Sequence, residues 1–222
     1  MSAMGAQSVI GEPITRVDGK AKVTGQAKYA AEFAADKHAD AVIVTSTIAN
    51  GTIVRMDTGQ AEKAAGVIKI LTPFNAMKLP QGGKAAVHPP AGRVLTILQD
   101  PMVHYNNQPI AVVIAETLNQ ALYAASLVQV KYKVAPAKFD FKGGFGQAHP
   151  GSHGKDPAKL STGNEPAGHA VAAVTVDEIY TTPKQNHNPM EPHATLAQWD
   201  GEKLTVHDAT QYVSGVKETL AK

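Results

Sequence analysis

Residues 106–132 read NNQPIAVVIAETLNQALYAASLVQVKY, and two hydrophobic periods meet inside this run. QPIAVVIAE (108–116) is almost continuously apolar, as expected of a strand covered on both faces. From Thr117 onward the period changes. Leu118, Ala121, Leu122, Ala125 and Val128 recur at helical spacing and form one stripe. Thr117 followed by Gln120 provides a capping box, in which two side chains satisfy amides that the first helical turn leaves without partners. A covered strand leading into an amphipathic helix is the clearest structural signal in the chain.

The sequence before this run predicts more strands. AVIVTSTIANGTIVRMDT (41–58) holds two β-rich runs separated by Asn50-Gly51, a pair favoured in tight hairpins. GQAEKAAG (59–66) predicts a short helix capped by Thr58, with Lys63 at its carboxyl end and Gly66 closing it. VIKILT (67–72) follows as a strand and completes a β-β-α-β unit. FNAMKLPQGGKAAVHPPAG (74–92) predicts a long connection and RVLTILQD (93–100) another strand. At the amino end, GEPITRVDGKAKVTGQAKYAAEF (11–33) keeps no steady period and reads as an arm laid against other structure.

The sequence after it is looser at first. From Pro136 to Gly168 glycine and proline dominate, as in an interdomain linker. GGFG (143–146) has the flexibility to converge N–H groups on a phosphate, but it lacks the Lys and Ser/Thr of a P-loop and no helical pattern follows it. HAVAAVTVDEIYTT (169–182) predicts a long strand. ATLAQWDGEKLTVHDAT (194–210) predicts a hairpin about Asp200-Gly201, with Leu204 and Val206 on one face and Lys203, Thr205 and His207 on the other. YVSGVKETLAK (212–222) begins a helix.

Composition removes several functions. The 222 residues, 43% of them in the hydrophobic class, suffice for one large or two modest domains. Lys and Arg number 21 against 19 Asp and Glu, scattered singly, so no basic stripe supports a nucleic-acid surface. Cysteine is absent, which excludes disulfides, thiolate nucleophiles and iron–sulfur ligation by these residues. The start MSAMGAQSVIGEP lacks the charge and apolar core of a secretory signal, and no apolar run is long enough to span a bilayer. A soluble chain of the cytosol or periplasm is the expectation.

QNHNPMEPH (185–193) gathers the side chains with most chemical potential. His187, Glu191 and His193 are of the types that ligate a zinc-like ion, and Gln185, Asn186 and Asn188 are versatile hydrogen-bonding groups. Metal site, edge of a cofactor pocket and polar turn are the three readings. Pro189 and Pro192 turn Asn188 and Glu191 away from helix, so His187 and Glu191 do not share a helical face as in H-E-x-x-H.

Three segments together carry a family resemblance. The series IGEPITRVDGKAKVTGQAKYAAEF, VTSTIANGTIVRMDTGQAEKAAGVIKILT and NNQPIAVVIAETLNQALYAASLVQVKY resembles the amino-terminal hammerhead domain of the molybdenum-binding subunit of the xanthine dehydrogenase and aldehyde oxidoreductase family. HNPMEPHATLAQWDGEKLTVHDATQ resembles the start of the cofactor-binding region of that family. The resemblance implies an α+β fold: an arm (1–18), an α/β hammerhead domain (19–136), a Gly/Pro-rich linker (137–168) and the incomplete beginning of a molybdopterin-binding domain (169–222).

It also implies a chemistry, molybdenum-dependent hydroxylation of an aldehyde or N-heterocycle with water as the oxygen source. The family's metal is held by the dithiolene of a pterin cofactor, consistent with a chain without cysteine. Gln185 matches the glutamine that the family places beside the molybdenum oxo group, a supporting role that orients and polarises the site. Glu191 matches the glutamate of PMEP, read as structural or pocket-lining and not as the catalytic base. The family's glycine-rich cofactor loop and catalytic glutamate fall beyond the position equivalent to Lys222, so no catalytic residue is assigned here and Gly143–Gly146 is not that loop. Implied partners are the remaining molybdopterin-binding polypeptide and the iron–sulfur and FAD domains or subunits. The expectation is a portion inactive by itself, with a non-catalytic assembly module derived from such a subunit as the alternative.

Overall fold

A strand hydrogen-bonded along both edges organises the larger of two compact units. The computed structural model describes residues 10–33, 35–80, 96–149, 151–153, 156–157 and 160–221. Its elements are α1 (Gly19–Val23), β1 (Asp40–Thr45), β2 (Gly51–Asp57), β3 (Val67–Leu71), β4 (Met102–Val103), β5 (Pro109–Ala115), α2 (Leu118–Leu127), β6 (Gln129–Val134), β7 (Ser152–His153), β8 (Asp156–Pro157), α3 (Glu165–Val171), β9 (Thr195–Asp200), β10 (Lys203–Asp208) and α4 (Val213–Leu220). Residues 37–182 and 212–222 form one unit; residues 1–36 and 183–211 form the other.

In the larger unit β5 lies between β1 and β3, antiparallel to both. A second antiparallel sheet has the order β4-β2-β6. Val113 packs with Ala61, Ile70 and Ala124, while Ile110 packs with Ile53 and Val103 of the second sheet. Val44 borders both clusters. Each fully buried aliphatic side chain of this kind contributes roughly 1.5–3 kcal/mol relative to exposure. The sequence reading of a covered strand is met, and the mixed architecture is α+β.

Helix α2 has the expected Thr117 cap but not the reciprocal half of the capping box, because the Gln120 side chain meets the Thr117 hydroxyl and not its N–H, and the helix packs differently. The Gln120 N–H donates to Thr117 Oγ1 at 3.4 Å, and the Thr117 hydroxyl donates to Gln120 Oε1 at 2.8 Å. The buried positions are Ala121 and Ala124, with Ala125 and Leu127 beside the same cluster, whereas Leu118 and Leu122 are 52% and 50% exposed. Small side chains let the helix axis approach the sheet: of the expected stripe Ala121, Ala125 and Val128 lie on the core, while Leu118 and Leu122 face outward. The helix ends at Leu127, short of the expected TLNQALYAASLVQV (117–130), and Gln129–Val134 form β6, in which Val130, Tyr132 and Val134 alternate with Gln129, Lys131 and Lys133.

Asn50-Gly51 does not close a hairpin. β1 and β2 lie in different sheets, and Gly51 opens β2 opposite Val134 with φ +151°, where a Cβ would stand 2.4 Å from the Lys133 carbonyl. The glycine is required by the close approach of β6. GQAEKAAG is a series of turns and not a helix: the Glu62 N–H reaches the Thr58 carbonyl at 2.8 Å, and the pattern then tightens to an i,i+3 bond from Ala64 to Ala61. Of RVLTILQD, residues 93–95 lie outside the described residues. The remainder is a turn with Leu98 at φ +58° and a hydrogen bond from the Thr96 hydroxyl to the Asp100 carboxylate.

HAVAAVTVDEIYTT forms no strand. Asn164 caps α3 by accepting the Ala167 N–H at 3.1 Å, and Pro166 suits the first turn, so the helix takes His169–Val171. Val174, Val176, Ile179 and Tyr180 beyond it are exposed and pair with no ladder. In the smaller unit the Asp200-Gly201 hairpin is present: β9 and β10 pair from Asp200–Lys203 to Thr195–Asp208. In the larger unit α4 is present where YVSGVKETLAK predicts it.

The buried alanine seam generates a stability prediction. Ile110→Ala is expected to cost roughly 2–5 kcal/mol and Ala124→Leu roughly 1–3 kcal/mol through overpacking. Leu122→Ala should change stability by about 0.5 kcal/mol or less, as for other surface sites. Chemical denaturation midpoints check the ranking; a Leu122→Ala loss as large as that of Ile110→Ala would restore the leucine stripe to the core.

Candidate functional site

Proline chemistry shapes QNHNPMEPH as expected. Residues 183–190 are exposed and carry no regular structure, with Asn188 before Pro189 at φ +38°, a left-handed turn that asparagine tolerates better than most residues. Gln185 is exposed at the entrance to this turn. His187 and His193 are exposed as well, and among the described residues no three His, Asp or Glu side chains converge in a manner that would hold a metal ion. The i,i+4 pair His187 and Glu191 is not brought onto a helical face.

Glu191 has a different task. Its Oε1 accepts the Ala30 N–H at 2.9 Å, across 161 residues of sequence, in a partly buried setting. Ala30 itself is buried and opens a short 3-10 turn, Ala30–Glu32, in which the Glu32 carboxylate accepts the Tyr29 N–H at 2.6 Å. Two successive amides of the arm are thus satisfied by two carboxylates, one local and one distant. Nearby, the Phe33 and His207 rings stack with centroids 3.9 Å apart and planes 13° from parallel, and Lys28 Nζ lies 5.8 Å from the Phe33 centroid. The hairpin end is fastened by a hydrogen bond from the Thr195 hydroxyl to the Asp208 carboxylate.

None of the contacts to the arm is visible in sequence. YAAEF offers no pattern that points to Glu191 or His207, because both contacts are between segments far apart in the chain. Asp18 in the same arm is local and legible: Lys22 first, then Arg16, each 2.6 Å away, hold its carboxyl at about 2 against an ordinary 3.8. A depressed carboxylate contributes its stability above the ordinary value and loses it as pH falls through the lowered one. All three side chains are largely exposed, so salt screens this contribution.

GGFG is committed elsewhere. The Gly143 N–H donates to Asp140 Oδ1 at 2.9 Å, the Gly144 N–H to the Asp140 carbonyl at 3.2 Å and the Phe145 N–H to the Lys142 carbonyl at 3.2 Å. An anion would have to displace a carboxylate already seated on the turn. Phe141 and Phe145 meet edge to face at 5.4 Å and, with Asp140, Gly144 and Ala148, line an adjoining hollow. Titration with inorganic phosphate is therefore expected to leave the Gly143 and Gly144 amide resonances unmoved. Saturable shifts confined to these glycines would reinstate the cradle.

Comparison with known proteins covers both parts of the chain. Residues 24–136 match the family model described as aldehyde oxidase and xanthine dehydrogenase, a/b hammerhead domain, and residues 148–222 match the molybdopterin cofactor-binding domain. The aldehyde oxidoreductase molybdenum-binding subunit PaoC of Escherichia coli K12 is 39% identical over 219 residues, spanning 96% of this chain and 28% of that protein. The nicotinate dehydrogenase large molybdopterin subunit of Eubacterium barkeri is 26% identical over 208 residues, spanning 91% of this chain and 48% of the relative. The chain thus corresponds to less than half the length of either. In fold it is similar to quinoline 2-oxidoreductase from Pseudomonas putida 86, with a TM-score of 0.67 at 20% identity over 87% of this chain and 26% of that one. Aldehyde oxidoreductase from Desulfovibrio gigas gives a TM-score of 0.65 at 22% identity over 86% of this chain and 22% of that one.

Proposed function

Because the chain belongs to the aldehyde oxidase and xanthine dehydrogenase family, with its hammerhead domain followed by the start of the molybdopterin-binding domain, we propose that it is part of the molybdopterin-binding subunit of a molybdenum hydroxylase acting on aldehydes or N-heterocycles. The observation that supports this reading is the ordered match of both domains along one chain, together with 39% identity to a molybdenum-binding subunit over 96% of this chain and 28% of that subunit. When bound, the molybdenum cofactor supplies the oxidation, with water as the source of the added oxygen.

The residues present suit a group that brings its own sulfur ligands. No cysteine is available, and the polar side chains of QNHNPMEPH do not gather as direct ligands. Gln185 contributes an exposed amide on a stretch whose far end is held by Glu191. In this reading its amide would help hold the cofactor by hydrogen bonding, without ligating the ion. Iron–sulfur clusters and FAD reside on other domains or subunits, and the rest of the molybdopterin site is supplied by further polypeptide.

In the complete assembly Gln185→Ala is expected to weaken transition-state stabilisation by roughly 1.5–3 kcal/mol, the value of a hydrogen bond to a charged group, while molybdenum content is unchanged. His187→Ala and His193→Ala should keep both pterin and metal. Turnover and metal analysis on matched, folded assemblies decide the matter: unchanged turnover in Gln185→Ala removes its role, and selective molybdenum loss in a histidine variant revives direct ligation. The purified 222-residue chain should reduce no dye with aldehydes or purines. Turnover with stoichiometric molybdenum would show that these residues suffice for the reaction.

A further inference from the structure

We propose that Glu191 is a positioning residue: by clasping the Ala30 amide it fixes the direction in which QNHNPMEPH leaves its anchor, and through that stretch it places the Gln185 amide. The inference rests on the proposed role of Gln185 for its catalytic consequence, but its mechanical part concerns this chain alone.

A free loop would give Gln185 no defined orientation, since residues 183–190 are exposed and make no ladder. Three features reduce that freedom. Pro189 and Pro192 each lock one backbone torsion between or beside the two residues, and each restricts the residue before it. Asn188 occupies the left-handed region at φ +38°, which sets the turn between Gln185 and Glu191. Glu191 then ends the stretch at a fixed point, its Oε1 2.9 Å from the Ala30 nitrogen in a partly buried site. The anchor is itself braced, because Ala30 is buried, Glu32 holds the Tyr29 amide at 2.6 Å and Phe33 stacks on His207 at 3.9 Å. A stiff span with one end tied has a directed free end.

The acceptor needed is an oxygen at the reach of a glutamate, and its charge is secondary. Glu191→Gln keeps the Oε1 acceptor and the length. Glu191→Asp keeps the charge but falls one methylene short, and Glu191→Ala removes the acceptor. The three substitutions separate reach from charge.

NMR on the 222-residue chain provides a readout independent of the cofactor. Ala30 amide exchange should accelerate about tenfold or more in Glu191→Ala and Glu191→Asp, and stay near wild type in Glu191→Gln, as expected when local opening loses one bond. The Gln185 side-chain amide resonance should move in the same two variants and not in the third, while cross-strand contacts of β9 and β10 certify folding. In the complete assembly Glu191→Ala and Glu191→Asp should lower kcat about 10- to 100-fold with molybdenum retained, the range for partners that orient a site, with rescue by Glu191→Gln. Glu191→Ala should add nothing in a Gln185→Ala background, because both act through one amide. Unchanged Ala30 exchange in Glu191→Ala overturns the clasp. Faster Ala30 exchange with an unmoved Gln185 resonance overturns the positioning and leaves a local brace. If Gln185→Ala turns over normally, the functional reading fails by itself, and the two resonances still decide the mechanical inference.

Discussion

The double-sided pairing of β5 is the constraint on which the larger unit depends. Every backbone group of a buried strand must find a partner, and β5 finds them on β1 and β3. With its edges satisfied, the strand can bury side chains in two directions: Val113 toward α2 and Ile110 toward β2 and β4. That division explains why a helix seamed with alanine suffices on one side. The close helix supplies contact through proximity, and the aliphatic volume comes from the strands. The consecutive strands β1 and β2 are divided between the two sheets, β1 pairing with β5 and β2 with β4 and β6.

The smaller unit uses a different solution. A hairpin of two strands is marginal by itself and needs an apolar or polar partner to stabilise it. Here the partner is the amino-terminal arm, joined by ring stacking of Phe33 on His207 and by the Glu191 carboxylate on the Ala30 amide. Both contacts join segments that lie at opposite ends of the sequence. The proline-flanked stretch carries a polar group at one end and an anchor at the other, so its chemistry and its architecture are the same residues seen from two sides.

Letters that suggest a site and geometry that makes one are separable in this protein. GGFG has the composition of an anion cradle, yet Asp140 occupies its amides. His187, Glu191 and His193 have the composition of a metal site, yet two histidines stay in solvent and the glutamate is turned to the backbone. In both cases a carboxylate is already taken by a backbone N–H, that of Gly143 within the turn and that of Ala30 far along the chain.

What the sequence determined by itself was whatever depends on neighbours in the chain. The apolar run of β5, the Thr117 cap of α2, the Asp200-Gly201 hairpin and the proline-enforced irregularity of QNHNPMEPH are local in cause, and all are present in the structure. The ordered motifs also carried the family, because their spacing holds over nearly the whole chain. Tertiary structure decided the rest. Periodicity marks Leu118 and Leu122 as readily as Ala121 and passes over Ala124, and only the approach of the sheet selects the small residues for burial. Asn50-Gly51 suits a hairpin, but the two strands it joins pair in different sheets, β1 with β5 and β2 with β4 and β6. HAVAAVTVDEIYTT has strand propensity, but propensity without an available ladder leaves backbone groups better served by an Asn-capped helix and by water. The Glu191–Ala30 bond is the extreme case, since no local rule connects residues 161 positions apart and only folding brings them within 2.9 Å.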